Sequence, residues 1–193
     1  MTRRAVAAAA LVALGCVATA LALVFARQPS AAAVTQALAG RVGGPVADAD
    51  TRLVTAGMIQ VETSPFRRIY LAGDERVHLD LTATSRIRQV TLGRERAVND
   101  TFTPDPADWT LDEARERAGA WLPRDAARQR REPFVFRDAP AGVRDLFRSP
   151  ALATVISATQ YVEHGATGPP GLCAITYYQT SAGGVVLVLI GLH

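Results

Sequence analysis

His78 and Asp80 stand two residues apart in Val77-His78-Leu79-Asp80-Leu81, so an extended chain points both to the same side. An imidazole beside a carboxylate could begin a metal site or a histidine oriented for acid–base work. A tetrahedral metal needs two further ligands, and the sequence has no H-x-x-x-H, C-x-x-C or H-E-x-x-H spacing to supply them. The competing reading is a polar outer face on a half-solvated sheet. Asp100, Asp105, Asp108 and Asp112 offer oxygen ligands of the kind calcium takes, without the EF-hand spacing or its glycine. Turn formation and a helix start account for such acids equally well.

Arg124, Arg128, Arg130 and Arg131 could meet anionic headgroups or wall polymers. Their alternation with Asp125 and Glu132 also suits a solvated connector. Cys173 lies in the apolar run LCAITYY and reads as a small buried hydrophobe. A catalytic thiol there would need His78 or His164 brought close by the fold. There is no G-x-S-x-G elbow, and the absence of lysine excludes the phosphate-binding G-x-x-x-x-G-K-[ST] loop. The sequence thus assigns no catalytic, cofactor-binding or metal residue.

The segment 5–26, AVAAAALVALGCVATALALVFA, carries no charge. As a helix its 22 residues reach about 33 Å, against a hydrocarbon core of ~30 Å. Three readings fit it. One is a retained transmembrane anchor. The second is a signal peptide cleaved after Val24-Phe25-Ala26. The third is a lipoprotein signal ending at Cys16, although Ala13 is small for that motif. The length favours the anchor. Arg3 and Arg4 before the segment, against Arg27 after it, place residues 1–4 in the cytoplasm and the bulk of the chain outside. If the segment is cleaved, the protein is secreted instead.

Setting aside Arg3, Arg4 and Arg27 leaves 18 of the 21 basic residues against 18 acidic ones, so the outer part is formally neutral. A nucleic-acid partner is therefore not expected, because counterion release needs a basic excess. All basic residues are arginine, which with the abundant alanine suggests a GC-rich genome. Cys173 stands alone beyond the anchor, so no internal disulfide is available there.

The glycines and prolines of 27–47 suggest a tether, with a domain over 48–193. From Arg52 the apolar residues tend towards a period of two, and strands are expected around 53–61, 69–71, 77–81 and 87–92. Thr110-Leu111-Asp112-Glu113 is a capping box opening a helix over 111–122, which Pro123 stops. The run 124–132 reads as a connector and 134–136 as a strand. A second short helix over 141–147 is expected to end at Ser149-Pro150, with a strand over 154–162. The segments 172–180 and 185–192 form a hairpin, and the all-apolar 185–190 belongs in the middle of a sheet. The expected fold is α+β: an antiparallel sheet with one main packed helix and a second short one, behind a single transmembrane helix.

Trp109-Thr110-Leu111-Asp112-Glu113-Ala114, then Trp121-Leu122-Pro123-Arg124-Asp125-Ala126 and the closing hairpin, resemble a pattern in small exported bacterial proteins of unknown function. The resemblance implies export and an α+β domain, and brings no activity or site residues. The leading expectation is a binding or accessory module of the cell envelope with an envelope protein or wall polymer as partner. The alternatives are a small exported enzyme using His78 or His164 and a structural wall-proximal protein.

Overall fold

A computed structural model describes residues 29–94, 104–135, 142–157, 160, 163, 165–166 and 168–193. The segment 5–26 lies outside the described residues. Among the described residues no helix is long and apolar enough to cross a membrane. A compact unit runs over Ala32–His193.

Eight strands form one antiparallel sheet: β1 (Ile59–Thr63), β2 (Arg67–Ala72), β3 (Glu75–Leu81), β4 (Ile87–Arg94), β5 (Ala127–Phe134), β6 (Gly142–Arg148), β7 (Leu172–Gln179) and β8 (Val185–Leu192). Their order is β1-β2-β3-β4-β8-β7-β6-β5. The sheet is thus two four-stranded meanders, each entered at an outer edge and each ending at the centre. They join through β4 and β8, with Val90 opposite Ile190 and Leu92 opposite Val188. The helices are α1 (Ala31–Leu38), α2 (Val46–Thr55), α3 (Leu111–Gly119) and α4 (Pro150–Val155). Helix α2 precedes the first meander and α3 the second, so the order of elements repeats: helix, then four strands.

The expected antiparallel sheet is present, and β8 is central as its apolar sequence requires. Alternation sorts its faces. Tyr70, Val77, Leu79, Val90, Val188, Ile190 and Ile175 share the main core with Ala49 and Leu53 of α2 and Ala114 and Ala118 of α3. The capping box forms as expected: Glu113 N–H donates to Thr110 Oγ1 at 3.3 Å and Thr110 N–H donates to Glu113 Oε2 at 2.7 Å. The helix ends at Gly119, short of 122, yet Trp121 and Leu122 are buried just beyond it. Its open carbonyls are met by distant arginines: Arg41 Nη1 donates to the oxygens of Ala120 and Leu122, both at 2.8 Å, and Arg52 Nη1 to Ala120 at 3.1 Å. Cations at a helix C-terminus also suit its dipole.

Several expectations need correction. The segment 53–55 closes α2 rather than opening a strand, because Val46, Ala49 and Leu53 recur at helical spacing and all three are buried. The connector 124–132 contains most of β5. As an edge strand it faces water, so it carries charge without apolar alternation. The helix expected over 141–147 is β6, with Val143, Asp145 and Phe147 on the core side. The buried Asp145 is held by Arg131 through two bonds of 2.7 and 2.8 Å. Ser149-Pro150 starts a helix instead of stopping one: Ser149 Oγ accepts from Leu152 N–H and Pro150 takes the first turn. Residues 154–155 therefore finish α4 and do not begin a strand. Phe136 lies outside the described residues.

The supposed tether must be shortened as well. Leu38 and Val42 are buried, Val42 N–H donates to Trp121 O at 3.0 Å, and Gly43 N–H donates to Ile87 O at 2.7 Å. Gly44 passes so close to Leu38 that a Cβ would sit 1.8 Å from its carbonyl oxygen. Glycines read as spacer residues are there for close backbone approach.

The two sheet edges differ. On β5, Arg128, Arg130, Arg131 and Pro133 guard the open backbone. On β1 all five residues are exposed. Two of the exposed large hydrophobics among the described residues, Ile59 and Val61, are on this strand.

Two substitutions test this packing. Leu38→Ala, inside the supposed tether, is expected to lower stability by about 2–5 kcal/mol in urea unfolding with the slope unchanged. A true spacer would leave the midpoint where it was. Trp121→Ala is expected to cost about 3–5 kcal/mol, and an unchanged melting temperature would mean that the indole is not docked.

Candidate functional site

The sequence-expected residues do not converge. His78 and Asp80 do share a face of β3, the one turned away from α2 and α3. Asp80, however, is taken by Arg67 at 3.1 Å and receives Gln89 Nε2 at 3.4 Å. His78 lies between Ile69 of β2 and Thr91 of β4. Burial first, then Arg76 and Arg67, lowers its pKa, which keeps the imidazole neutral at pH 7. Asp105 and Asp108 build a turn: Asp105 N–H donates to Asp108 Oδ2 at 3.0 Å, and Ala107 N–H donates to Asp105 Oδ1 at 2.7 Å. Asp112 pairs with Arg115 at 2.7 Å in the first turn of α3. Among the described residues no three His, Cys, Asp or Glu side chains are grouped to hold a metal. Asp100 and His164 lie outside the described residues. Arg130 pairs with Glu132 within β5 at 3.2 Å, and Arg131 crosses to Asp145 of β6, so two of the four arginines are engaged in ion pairs of the fold itself.

Cys173 is fully buried on β7. Burial, with Asp125 adding to it, pushes the thiol up to about 12 from an ordinary value near 9. It is a core residue in the thiol form and no nucleophile.

A different constellation emerges where α2, α3 and the β3–β4 pair meet. A cavity of about 260 Å³ opens there. Trp109 and Trp121, the only tryptophans of the chain, both line it and bracket α3 at its two ends. Leu53 from α2, Met58, Val77 from β3 and Leu92 from β4 complete an apolar wall. The fold fixes the indoles firmly. The backbone of Trp109 pairs with Val185 of the central strand in both directions, at 2.7 and 3.2 Å, and the Trp121 carbonyl holds Val42.

Arginines furnish the polar part. The Arg52 guanidinium lies 4.0 Å from the Trp121 ring centroid and that of Arg117 lies 5.0 Å from Trp109, within range for cation–π attraction. Arg117 is bound to Glu75 at 2.7 Å across the rim. Arg76 borders the cavity floor on β3, but it stands two residues before His78 in an unbroken register, so its side chain lies on the opposite face of the sheet. Burial, then Arg41, lowers the pKa of Arg52, as expected for a cation with another cation nearby. Such a chamber can hold a small, mainly apolar molecule against aromatic faces and orient its polar end. Among the described residues Glu75 is the one carboxylate lining it, and no hydroxyl, thiol or imidazole is in the lining.

Sequence reasoning missed this site because its residues run from 52 to 121 without a motif. The one available signal was the placement of both tryptophans at the ends of a well-capped helix. Compared with known proteins, the chain matches no protein family, no curated protein and no solved structure.

The buried thiol yields a pH prediction. Its folded pKa is raised, so the unfolded chain loses its proton first as pH climbs through about 9. Above that the folded form holds more protons, and stability falls with rising pH by up to about 1.4 kcal/mol per unit. Cys173→Ala should flatten the slope of stability between pH 9 and 10, and an identical slope would show the thiol to be solvated.

Proposed function

We propose that this protein is an extracytoplasmic binding module, anchored in the cell membrane through 5–26, that holds a small apolar ligand between α2, α3 and the sheet. The observation that carries the binding half is the cavity itself: two tryptophans fixed by backbone hydrogen bonds around about 260 Å³ of apolar space. Pockets of this make-up, concave and apolar with a few placed polar groups, are where small molecules bind. Among the described lining residues no nucleophile stands beside the one carboxylate, Glu75, which favours binding over catalysis. The anchoring half rests on the uncharged 22-residue segment and its flanking arginines. Formal neutrality beyond the anchor argues against a nucleic-acid partner.

Native mass spectrometry of the full chain released from its own membranes tests the binding half. The expected spectrum shows an added small molecule, lost in Trp121→Ala. A spectrum of bare protein alone speaks against a resident ligand. Alkaline washing of membranes tests the anchor: the protein should stay with the pellet. Release into the supernatant, with a mature start at Arg27, would replace the anchor by a cleaved signal.

A further inference from the structure

The antiparallel order puts the β1–β2 turn and the β3–β4 turn at the same end of the sheet. A hollow of about 450 Å³ lies between them, and Phe66, Arg67 and Arg88 all line it. Phe66 sits in the β1–β2 turn directly before Arg67 and Arg68, and is 62% exposed. The connection between α1 and α2 and the end of α3 reach this end too: Gly43 N–H donates to Ile87 O and Val42 N–H to Trp121 O. They bring Arg86, whose Nη1 donates to Gly43 O at 2.8 Å, and the exposed Arg124. Two nearby carboxylates are engaged. Arg67 holds Asp80 at 3.1 Å, and Asp125 accepts from Ser149 Oγ at 2.6 Å and from Ala151 N–H at 2.7 Å. Glu62 of β1 and Asp48 of α2 are exposed. The β2–β3 turn at the far end carries Asp74 and Glu75 instead.

The chain enters the fold at this end. Only Arg27-Gln28-Pro29-Ser30 separate the apolar segment 5–26 from α1. Fully extended, they reach about 14 Å at ~3.5 Å per residue. Helix α1 itself belongs to the domain: Val34, Ala37 and Leu38 pack with Ala151, and Arg124 N–H donates to Ala37 O at 2.9 Å. A domain anchored through 5–26 therefore stays near the headgroups, with little slack to turn this end away. We infer that this end docks on an anionic phospholipid surface, with Phe66 entering the headgroup layer and Arg88 and Arg124 meeting lipid phosphates. This rests on the anchoring reading above and adds the face of the domain that the lipid meets. An aromatic ring among cations suits that boundary, where the ring leaves water and the guanidinium groups meet negative charge. Arg88 and Arg124 have no ion-pair partner among the described residues, so the fold does not occupy their charges.

Amide hydrogen exchange of the full chain tests this in nanodiscs of phosphatidylcholine alone and of phosphatidylcholine with phosphatidylglycerol. In the anionic discs the amides of 64–68 and 83–88 should exchange on the order of threefold more slowly, with those of 73–75 unchanged. Added salt should remove the difference. Phe66→Ser with Arg88→Gln should abolish the protection. Neither side chain makes a hydrogen bond or ion pair with a described residue, so an unchanged melting temperature is expected of this variant. If the variant does not fold, the comparison of the two disc compositions on the native chain still decides. Equal exchange of 64–68 and 83–88 in both kinds of disc overturns the docking face, and so does protection of 73–75 in their place. The anchor is read separately. A chain that stays in membranes through alkaline washing but shows no protection keeps the anchor and loses the docking face. A chain that washes off, yet shows the protection when added to phosphatidylglycerol vesicles, keeps the docking face and loses the anchor.

Discussion

The pairing of β4 with β8 is the constraint on which the rest depends. Each meander alone is a four-stranded sheet with two open edges and half a core. Zipping Val90 and Leu92 to Ile190 and Val188 removes one edge from each and fuses the two apolar faces into one. Sequence distance makes this join expensive, since the partners are about a hundred residues apart and the closing loop must be ordered first. The apolar run of β8 supplies the compensation: Val185, Val188 and Ile190 are almost wholly removed from water.

The cavity is a by-product of that join. Two short helices cross a sheet broad enough to underlie both, and their ends leave a gap that neither backbone can fill. Large rings take up part of it, and arginines close the rim because their long apolar stems tolerate burial while the heads seek partners. The same arginines stitch the layer together. Arg52 serves the carbonyl of Ala120 with one nitrogen and presents another, unpaired, beside the cavity. One side chain thus both closes the helix end and borders the cavity, which holds that part of the rim in place.

How much of this was legible follows from where each element gets its stability. Thr110 and Glu113 cap their helix with local bonds, so sequence spacing sufficed to find it. β8 is central, as its unbroken apolar run announced, although only the Val188–Ile190 face is fully buried and Leu187 and Leu189 on the other are half-buried. β5 gave no such signal: an edge strand held by Arg131 on Asp145 looks like any charged connector until β6 is beside it. The helix α2 begins just after Pro45, in a run that glycine and proline made look like spacer, and only burial of Val46, Ala49 and Leu53 distinguishes it. The candidate site was least legible, because it is made of side chains that no local pattern links.

The contrast between the two sheet edges has a consequence for assembly. A sheet with two sticky margins can add copies without end, as fibres do. Here one margin is armed with guanidinium groups and a proline that cannot donate, while the other, β1, is less defended, with a bulge between Gln60 and Glu62 beside exposed Ile59 and Val61. Growth through the less defended margin would consume it in a single step and leave only armed margins facing outward. Association by sheet extension is thus self-limiting at a pair, which matters for a protein that the proposed anchor would concentrate in two dimensions.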